Sequence, residues 1–411
     1  MKPGVEILFG QLSVQAGDTV TIVTDERIDP RVGEMLFAQA LALGADADLS
    51  RVRARHTNGE NFAAPVVAAI RASDIAILAT SWSASHSAGV IAATEAGVRV
   101  LSMPGVNYEM FGAGAMTADY GEVERLTVRW GELFARGRQV RVTTKAGTDL
   151  VADLGGPRRS PFLDTGMMSV AGGLGNMPAG EVAFAPIEGS CSGRIVADIM
   201  LSTSAGNLRE PVEIEIVDGA VSAVRGGPAG EQFEHELVRH GPSARMVAEI
   251  AVGTNPAART VGIVIEDEKQ LGTAHVGFGH SVGIGGENAS TIHADAIMAA
   301  ATVSIDGVDL LRDGEVVEQA LQRESLDSFH PAGGSFTLAR LATREMSGRL
   351  EVAWVDASGE ARWAQVGDDH AAAEALLALH TGMLSAGTGT RDAQVLGLLA
   401  HYGVVAPAAR A

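Results

Sequence analysis

Hydrophobic positions in the first 105 residues alternate between short β-branched runs and longer segments with helical spacing. The β-branched runs predict buried strands and are "TVTIVTD" (19–25), "IAILATS" (75–81) and "VRVLSMP" (98–104). The segments with helical spacing are 30–45, 64–74 and 85–97. Strands that alternate with helices need crossover connections, which build a parallel sheet covered on both faces. The pattern predicts a Rossmann-like α/β domain over residues 1–135, without a dinucleotide site because no G-x-G-x-x-G follows the first strand.

From residue 136 the pattern changes to short strands separated by turn signals. A hairpin is predicted over 138–156, a helix over 231–241 and a closing hairpin over 302–317. Further strands are predicted over 193–201, 211–227 and 260–267. We therefore expect an α+β domain, mainly antiparallel, over 136–333. Residues 334–411 predict a small C-terminal α+β appendage with a winged-helix-like pattern, to which the sequence assigns no function.

Composition and charge narrow the classes of function. The 411 residues are 46% hydrophobic but only 4% aromatic, which fits packed α/β layers better than a stacking surface. A net charge of −19 repels phosphate backbones and anionic lipid, so we expect neither a nucleic-acid nor a membrane partner. The single cysteine, Cys191, excludes an internal disulfide and a cysteine-based zinc site. Without a signal-peptide pattern, a cytoplasmic protein acting on a small-molecule or peptide substrate is expected.

Candidate chemistry lies in the glycine-rich stretch "GTAHVGFGHSVGIGGENASTIHADA" (272–296) and in two distant acids. The stretch contains His275, His280, His293 and Asp295. Glu181 and Glu249 each stand alone in an apolar, strand-like run, where burial is costly unless a cation, an arginine or a capped turn compensates it. In an extended segment His293 and Asp295 project from the same face. Three carboxylates and two imidazoles suit zinc, manganese, cobalt or ferrous iron.

Four segments in a fixed order carry a family resemblance. They are "NMPAGEVAFAP", "AEIAVGTNP", "EDEKQLGTAHVGFG" and "STIHADA". Over about residues 15–320 the chain resembles metallo-aminopeptidases of the aminopeptidase T family and their superfamily, which includes 2,5-dihydroxypyridine 5,6-dioxygenase. The aminopeptidase resemblance implies a homodimer with two divalent ions per chain (Zn, Co or Mn). Its implied ligands are Glu181, Glu249, His275, His293 and Asp295.

One ligand of the aminopeptidases has no counterpart here. The resemblance implies a tyrosine seven residues after His275, where this chain has Val282. Three alternatives follow for one of the two ions: weaker binding, absence, or completion of its ligands by His280 or water. The glycines around these residues are expected to let the backbone pass close to the metals.

The dioxygenase resemblance implies a single Fe(II) held by two histidines and an aspartate. The last two match His293 and Asp295, but the first histidine falls at Glu249, and the sequence does not show whether His275 replaces it in space. This resemblance also implies that His86 deprotonates or orients a substrate hydroxyl, the alternative being a surface histidine at a helix start. The count of five ligands favours the two-metal branch.

Three hypotheses about function follow. The first is a hydrolase in which metal-activated water cleaves a peptide or amide bond, with Glu181 or Glu249 transferring a proton. The second is a mononuclear Fe(II) dioxygenase that cleaves a hydroxylated pyridine-like ring. The third is a binding or assembly protein without metal chemistry. A biosynthetic amidase or cyclase that reuses the same scaffold is a further alternative.

Two other segments are expected to form turns. The acids of "EDEK", Glu266, Asp267 and Glu268, are expected in a solvated turn, and "DTG" (164–166) is expected in a turn to which no chemistry is assigned.

Overall fold

The computed structural model describes residues 2–85, 87–154, 159, 161–168 and 172–317, and the backbone of three strands further on. The helices are α1 (Pro3–Gln11), α2 (Pro30–Ala42), α3 (Ala64–Arg71), α4 (Ala88–Glu95), α5 (Tyr120–Arg136), α6 (Gly227–His240) and α7 (Val264–Asp267). The first strands are β1 (Thr19–Asp25), β2 (Asp46–Val52), β3 (Ile75–Ala79), β4 (Arg99–Ser102), β5 (Gln139–Thr143), β6 (Asp149–Asp153), β7 (Phe162–Asp164), β8 (Leu174–Asn176), β9 (Glu181–Phe184), β10 (Ser192–Ala197) and β11 (Met200–Leu201). The later strands are β12 (Val212–Val217), β13 (Ala220–Arg225), β14 (Val247–Gly253), β15 (Ala274–Gly279), β16 (His293–Met298), β17 (Thr302–Ile305), β18 (Val308–Arg312), β19 (Glu315–Val316), β20 (Ala342–Met346), β21 (Arg349–Val355) and β22 (Ala361–Gly367).

The first half of the chain forms a five-stranded parallel sheet in the order β2-β1-β3-β4-β8. Its central strand β3 is buried along its whole length, as expected for a sheet covered on both faces. The three predicted strands and three predicted helices are present, with ends shifted by a few residues, and the α/β fold class is confirmed. Strand β2 was not predicted because most of its residues are polar and at least partly exposed, which is typical of a sheet edge.

Two antiparallel sheets pack face to face in the second region. One has eight strands in the order β13-β12-β10-β6-β5-β17-β18-β19, and the other has six in the order β11-β16-β15-β14-β9-β7. Val142 from the first sheet and Val252 from the second belong to a single core, to which α5 contributes Trp130 and α6 contributes Phe233. The predicted hairpins correspond to β5–β6 and β17–β18, and β17 pairs with β5 to join them.

Two features of this region differ from the predicted pattern of strands. The run 193–201, predicted as one strand, is divided between β10 and β11, which lie in different sheets. Strand β8 lies beyond residue 135 and yet extends the parallel sheet. In the C-terminal segment, β20, β21 and β22 form an antiparallel sheet, and the rest of the appendage predicted over 334–411 lies outside the described residues. None of the described helices has the length and apolar character needed to cross a membrane.

The predicted strand over 260–267 is wrong. The chain instead makes a loop and the short helix α7, because the Asp267 carboxylate accepts hydrogen bonds from the backbone N–H groups of Val261 (2.7 Å) and Gly262 (3.0 Å). Gly262 has a φ of +79°, outside the strand region. Side-chain bonds of this kind compete with a sheet ladder for the backbone.

The same segment also overturns the expected solvated turn. Glu266 and Asp267 are both fully buried. Glu266 accepts a hydrogen bond from the backbone N–H of Ala115 at 3.3 Å, which ties this loop to the N-terminal half of the chain. The acids therefore act as internal acceptors, a role that their sequence neighbourhood does not indicate.

Tyr120, at the start of α5, joins the first half of the chain to the segment that leads into β9. Its buried hydroxyl donates to the carbonyl of Ala115 (3.0 Å) and accepts from the N–H of Ala179 (3.2 Å). The Asn255 side chain donates to the carbonyls of the same two alanines, at 3.2 and 2.8 Å. Because Glu181 follows Ala179 by two residues, this network fixes the position of that glutamate.

Replacing Tyr120 with phenylalanine should lower the free energy of unfolding by about 1–3 kcal/mol, because the buried N–H of Ala179 loses its acceptor without any change in ring size. Urea denaturation measures the change. Tyr108→Phe is the matched control, since the Tyr108 ring is only half-buried and packs beneath Lys2 and Arg31 through its face. Equal stabilities for the two variants would contradict the role assigned to the Tyr120 hydroxyl.

Candidate metal centre

One face of the six-stranded sheet carries four of the five predicted ligands in neighbouring strands. Glu249 on β14 lies opposite Gly277 on β15, which lies opposite Asp295 on β16. Residues directly opposite each other share a face, and so do residues two apart along a strand. His275, two residues before Gly277, and His293, two residues before Asp295, therefore project from this same face.

Glu181 reaches that face from β9. Ala183 lies opposite Ala251, which lies opposite His275, and Glu181 precedes Ala183 by two residues. The residues that alternate with the ligands belong instead to the core between the two sheets: Val182, Ile250, Val276, Ala294 and Ala296. Strand alternation thus separates an apolar face from a face that carries carboxylates and imidazoles.

Gly277 lies directly beneath the candidate donor atoms. A Cβ atom at this position would lie 2.8 Å from His293 Nε2 and 2.9 Å from Glu249 Cβ, closer than real contacts allow. The row Glu249–Gly277–Asp295 therefore needs glycine at its centre. At this position glycine lets the backbone pass close to the candidate ligands.

The donor atoms form two groups that share Glu249. His275 Nε2 lies 3.5 Å from both Glu181 Oε2 and Glu249 Oε1. His293 Nε2 lies 3.1 Å from both Glu249 Oε2 and Asp295 Oδ1. Two donors bound at about 2.1 Å to one tetrahedral ion are separated by about 3.4 Å, so each group has the spacing of ligands to a single cation.

We name these groups by their burial. The inner triad is Glu181, Glu249 and His275, and the outer triad is Glu249, His293 and Asp295; within each, the donor atoms lie within 4.8 Å of one another. Every residue of the inner triad is at most 7% exposed. The side chain of His293 is 32% exposed, so the outer triad is more accessible to solvent than the inner triad.

Buried atoms without hydrogen-bond partners test whether these residues fit a cation. Glu181 Oε2 and Asp295 Oδ1 are buried and accept no hydrogen bond, although buried acceptors are normally satisfied. These are the oxygens directed at His275 and His293 in the two triads. The residues therefore fit a divalent metal, and together with the family relationship given below they support divalent-metal use.

Protonation of the site follows from its excess of carboxylates. Burial favours a neutral imidazole, but the hydrogen bond and charge of Glu249, together with Glu181, raise the pKa of His275 to about 9. Asp295 and Glu249 likewise raise the pKa of His293 well above its ordinary value against the effect of burial. Burial opposes ionisation of Glu249 too, yet its contacts with the two imidazoles hold its pKa far below the usual range. Metal uptake must displace protons from the imidazoles, so it should weaken as the pH falls.

The loop before β16 orients His293. Its Nδ1 lies 2.8 Å from the backbone carbonyl of His280, so Nδ1–H donates there and Nε2 is directed at the outer triad. His280 therefore contributes through its backbone, and neither triad of the described residues includes its ring. Val282, in the position where the aminopeptidases have tyrosine, is 50% exposed. His86 lies outside the described residues, so its predicted role stays a prediction.

Lys269 is the residue that the sequence did not reveal. Its ammonium group is 1% exposed and lies 2.6 Å from Glu181 Oε1, 3.0 Å from Glu268 Oε1 and 3.4 Å from Asp164 Oδ2. The expected solvated position of Glu268 is wrong, since its side chain is only 14% exposed. Asp164, from the "DTG" segment to which no chemistry was assigned, lies opposite Glu181 in β7. Burial raises the pKa of both acids to about 7, Lys269 opposes the rise, and the charge of Glu181 adds to it.

Fold and site together define a class of metal-dependent α/β proteins whose candidate centre lies on the face of an antiparallel sheet. The sequence model of the family described as 2,5-dihydroxypyridine 5,6-dioxygenase matches residues 5–318, and the chain belongs to this family. The predicted superfamily is therefore confirmed. Because the family is named for an enzyme, membership supports an enzymatic function for this chain.

Two solved structures share the fold. The 2,5-dihydroxypyridine dioxygenase of Pseudomonas putida KT2440 is similar with a TM-score of 0.65 and 18% identity, covering 78% of this chain and 98% of its own. Wild-type AmpT of Thermus thermophilus is similar with a TM-score of 0.57 and 17% identity, covering 77% of this chain and 99% of its own. No curated protein sequence matches the chain significantly.

Replacing Gly277 with alanine should weaken metal binding by roughly 10–100-fold, the usual effect of disturbing groups that orient metal ligands. The added methyl group would displace His293 and Glu249 together. Calorimetric titration with Co(II) measures the affinity. Gly10→Ala is the control, because a Cβ there meets nothing within 4 Å; unchanged affinity in a folded Gly277→Ala variant would refute the arrangement.

Proposed function

We propose that the protein is a divalent-metal-dependent hydrolase that cleaves a peptide or amide bond in a small substrate. The observation that carries the proposal is the position of Glu249, whose Oε1 faces the inner triad and whose Oε2 faces the outer triad. A carboxylate shared between two neighbouring positions suits a two-metal hydrolytic centre. Zn, Co and Mn accept this mixture of nitrogen and oxygen donors.

The charges around the site support two ions. The site contains five acidic side chains, each at most 14% exposed, and one ammonium group, that of Lys269, which contacts three of them. They are Asp164, Glu181, Glu249, Glu268 and Asp295. When all five are ionised and the imidazoles are neutral, four negative charges remain after Lys269 is counted. Two divalent cations balance that charge, whereas one leaves half of it uncompensated in a buried environment.

Two such ions, when bound, lower the pKa of a bound water so that hydroxide is available at neutral pH, and stabilise negative charge on the scissile carbonyl oxygen. The protein positions the ligands of these ions and determines from which side the substrate reaches them. Glu249 sets the spacing of the two triads, and the His280 carbonyl holds the His293 ring. The exposed side of His293 admits the substrate, while the inner triad is closed to solvent.

Proton transfer was expected from Glu181 or Glu249, but the oxygens of both face Lys269, His275 or His293. Glu268 also contacts Lys269, through Oε1, but it is not one of the candidate metal ligands and is therefore a further candidate for this role. It belongs to neither triad, its side chain is more exposed than that of Asp164, and its pKa is raised to about 7. A carboxyl group with a pKa near the working pH both accepts and returns a proton efficiently.

A second candidate function is Fe(II)-dependent cleavage of a hydroxylated pyridine-like ring by dioxygen, which membership of the family favours. The site opposes it in one respect. His275 and His293 face different oxygens of Glu249, so the outer triad has one imidazole and two carboxylates instead of two imidazoles and one carboxylate.

A homodimeric state and a cytoplasmic location remain predictions.

Protein stripped of metal and reloaded anaerobically should bind two Zn, Co or Mn ions per chain and hydrolyse aminoacyl p-nitroanilides. Elemental analysis and chromogenic assays measure the two properties. Asp295→Ala should lose one ion and most activity, whereas Asp149→Ala, an exposed acid on the β5–β6 hairpin, should keep both. One iron per chain with oxygen uptake on 2,5-dihydroxypyridine would establish the second candidate instead, and failure to bind any metal would exclude both.

Replacing Glu268 with glutamine should reduce kcat by roughly 100-fold while both ions remain bound, because the amide cannot accept the proton. Steady-state kinetics and elemental analysis on the same preparation separate the two effects. Glu109→Gln is the control at an exposed surface acid. Wild-type kcat in the Glu268→Gln enzyme would remove Glu268 from the mechanism.

A further inference from the structure

Lys269 contacts one oxygen of Glu181 and leaves the other free. Its Nζ lies 2.6 Å from Glu181 Oε1, whereas Glu181 Oε2 faces His275 Nε2 at 3.5 Å and accepts no hydrogen bond. The two oxygens of this carboxylate therefore have different partners. A strong charge-assisted bond to Oε1 fixes the rotation of the group and with it the direction of Oε2.

The backbone around Lys269 is itself held against the sheet. Its carbonyl accepts a hydrogen bond from the N–H of Asn255 at 2.9 Å, and the N–H of Leu271 donates to the Asn255 carbonyl at 3.0 Å. Gly253, at the end of β14, permits this approach, since a Cβ there would lie 2.1 Å from the carbonyl oxygen of Gln270. The ammonium group thus projects from a segment fixed to the strand that carries Glu249.

Neighbouring acids hold the ammonium group from its other sides. Glu268 Oε1 lies at 3.0 Å and Asp164 Oδ2 at 3.4 Å, and neither acid belongs to a triad. A lysine that only neutralised charge would be satisfied by these two acids. Its shortest contact is instead with the inner-triad ligand, and this contact restricts the ligand's geometry.

We propose that Lys269 is a positioning residue that holds Glu181 through Oε1, so that Oε2 alone is presented to the inner ion. This inference rests on the metal-dependent function proposed above. It makes the inner triad a set of three single donors, Glu181 Oε2, Glu249 Oε1 and His275 Nε2. Three donors leave one position of a tetrahedral ion for water, the arrangement typical of catalytic sites, whereas a glutamate bound through both oxygens would fill it.

The test is a titration of metal-free protein with Co(II), in which calorimetry measures each binding step and visible absorption reports the coordination of the bound ion. His275→Ala and His293→Ala identify which binding step belongs to the inner and which to the outer triad. Lys269→Met should weaken the inner step by roughly 10–100-fold and leave the outer step unchanged. The inner Co(II) spectrum should also weaken, because coordination by both oxygens of Glu181 raises the coordination number.

Two further variants make the result decisive. Lys145→Met is the matched control, since Lys145 is a surface lysine with a side chain that is 78% exposed. If Lys269→Met does not fold, the double variant Asp164→Asn/Lys269→Met replaces it, because this pair of changes keeps the net charge of the cluster. Its control is Asp164→Asn alone. The double variant is expected to show the same selective weakening of the inner Co(II) binding step.

A folded variant with the wild-type inner affinity and spectrum would overturn the positioning role, and so would equal weakening of both steps. Failure of the wild-type protein to bind metal would instead overturn the proposed function. The two failures are therefore distinguishable.

Discussion

Burial of negative charge on one sheet face is the constraint on which the candidate site depends. An ionised carboxylate in a protein interior costs several kcal/mol unless cations or donors compensate it. Here Glu181, Glu249 and Asp295 are each at most 7% exposed, and they are compensated by Lys269 and two imidazoles. The same excess of negative charge raises the pKa of both imidazoles against the effect of burial. The same imbalance favours binding of a cation among these residues.

The sheet makes this concentration of charge tolerable. Alternation along β9, β14, β15 and β16 gives their apolar residues to the core between the two sheets and their polar residues to the opposite face. The core therefore stabilises the same strands that carry the charges. Gly277 adds the space in which side chains from two flanking strands converge, which a residue with a Cβ would fill.

Local patterns in the sequence predict most of the strands and helices of the N-terminal region, but they predict fewer of the contacts that build the candidate site. Periodicity identified β1, β3 and β4 because each is an apolar run, but the polar edge strand β2 lacks that signal. Only His293 and Asp295 could be placed together from their spacing. The other three ligands were singled out by residue type and apolar surroundings, and the family resemblance supported their assignment to one site, since their proximity depends on strand pairing. Lys269 was missed because its burial depends on Glu181, distant in sequence. Asp267 directed its segment into a loop through side-chain bonds that hydrophobicity does not encode.

Position 249 bears on how membership of a dioxygenase family is reconciled with the two-metal site proposed above. The resemblance to the dioxygenase implies histidine there, and an imidazole that uses Nε2 coordinates a single ion. A carboxylate has two oxygens, and those of Glu249 face His275 and His293 separately. Under the proposed function, the carboxylate at this position on β14 would therefore serve two ions, whereas a histidine would serve one. The negative charge of Glu249 is compensated by the imidazoles of His275 and His293, whereas Lys269 contacts Glu181 and belongs to neither triad.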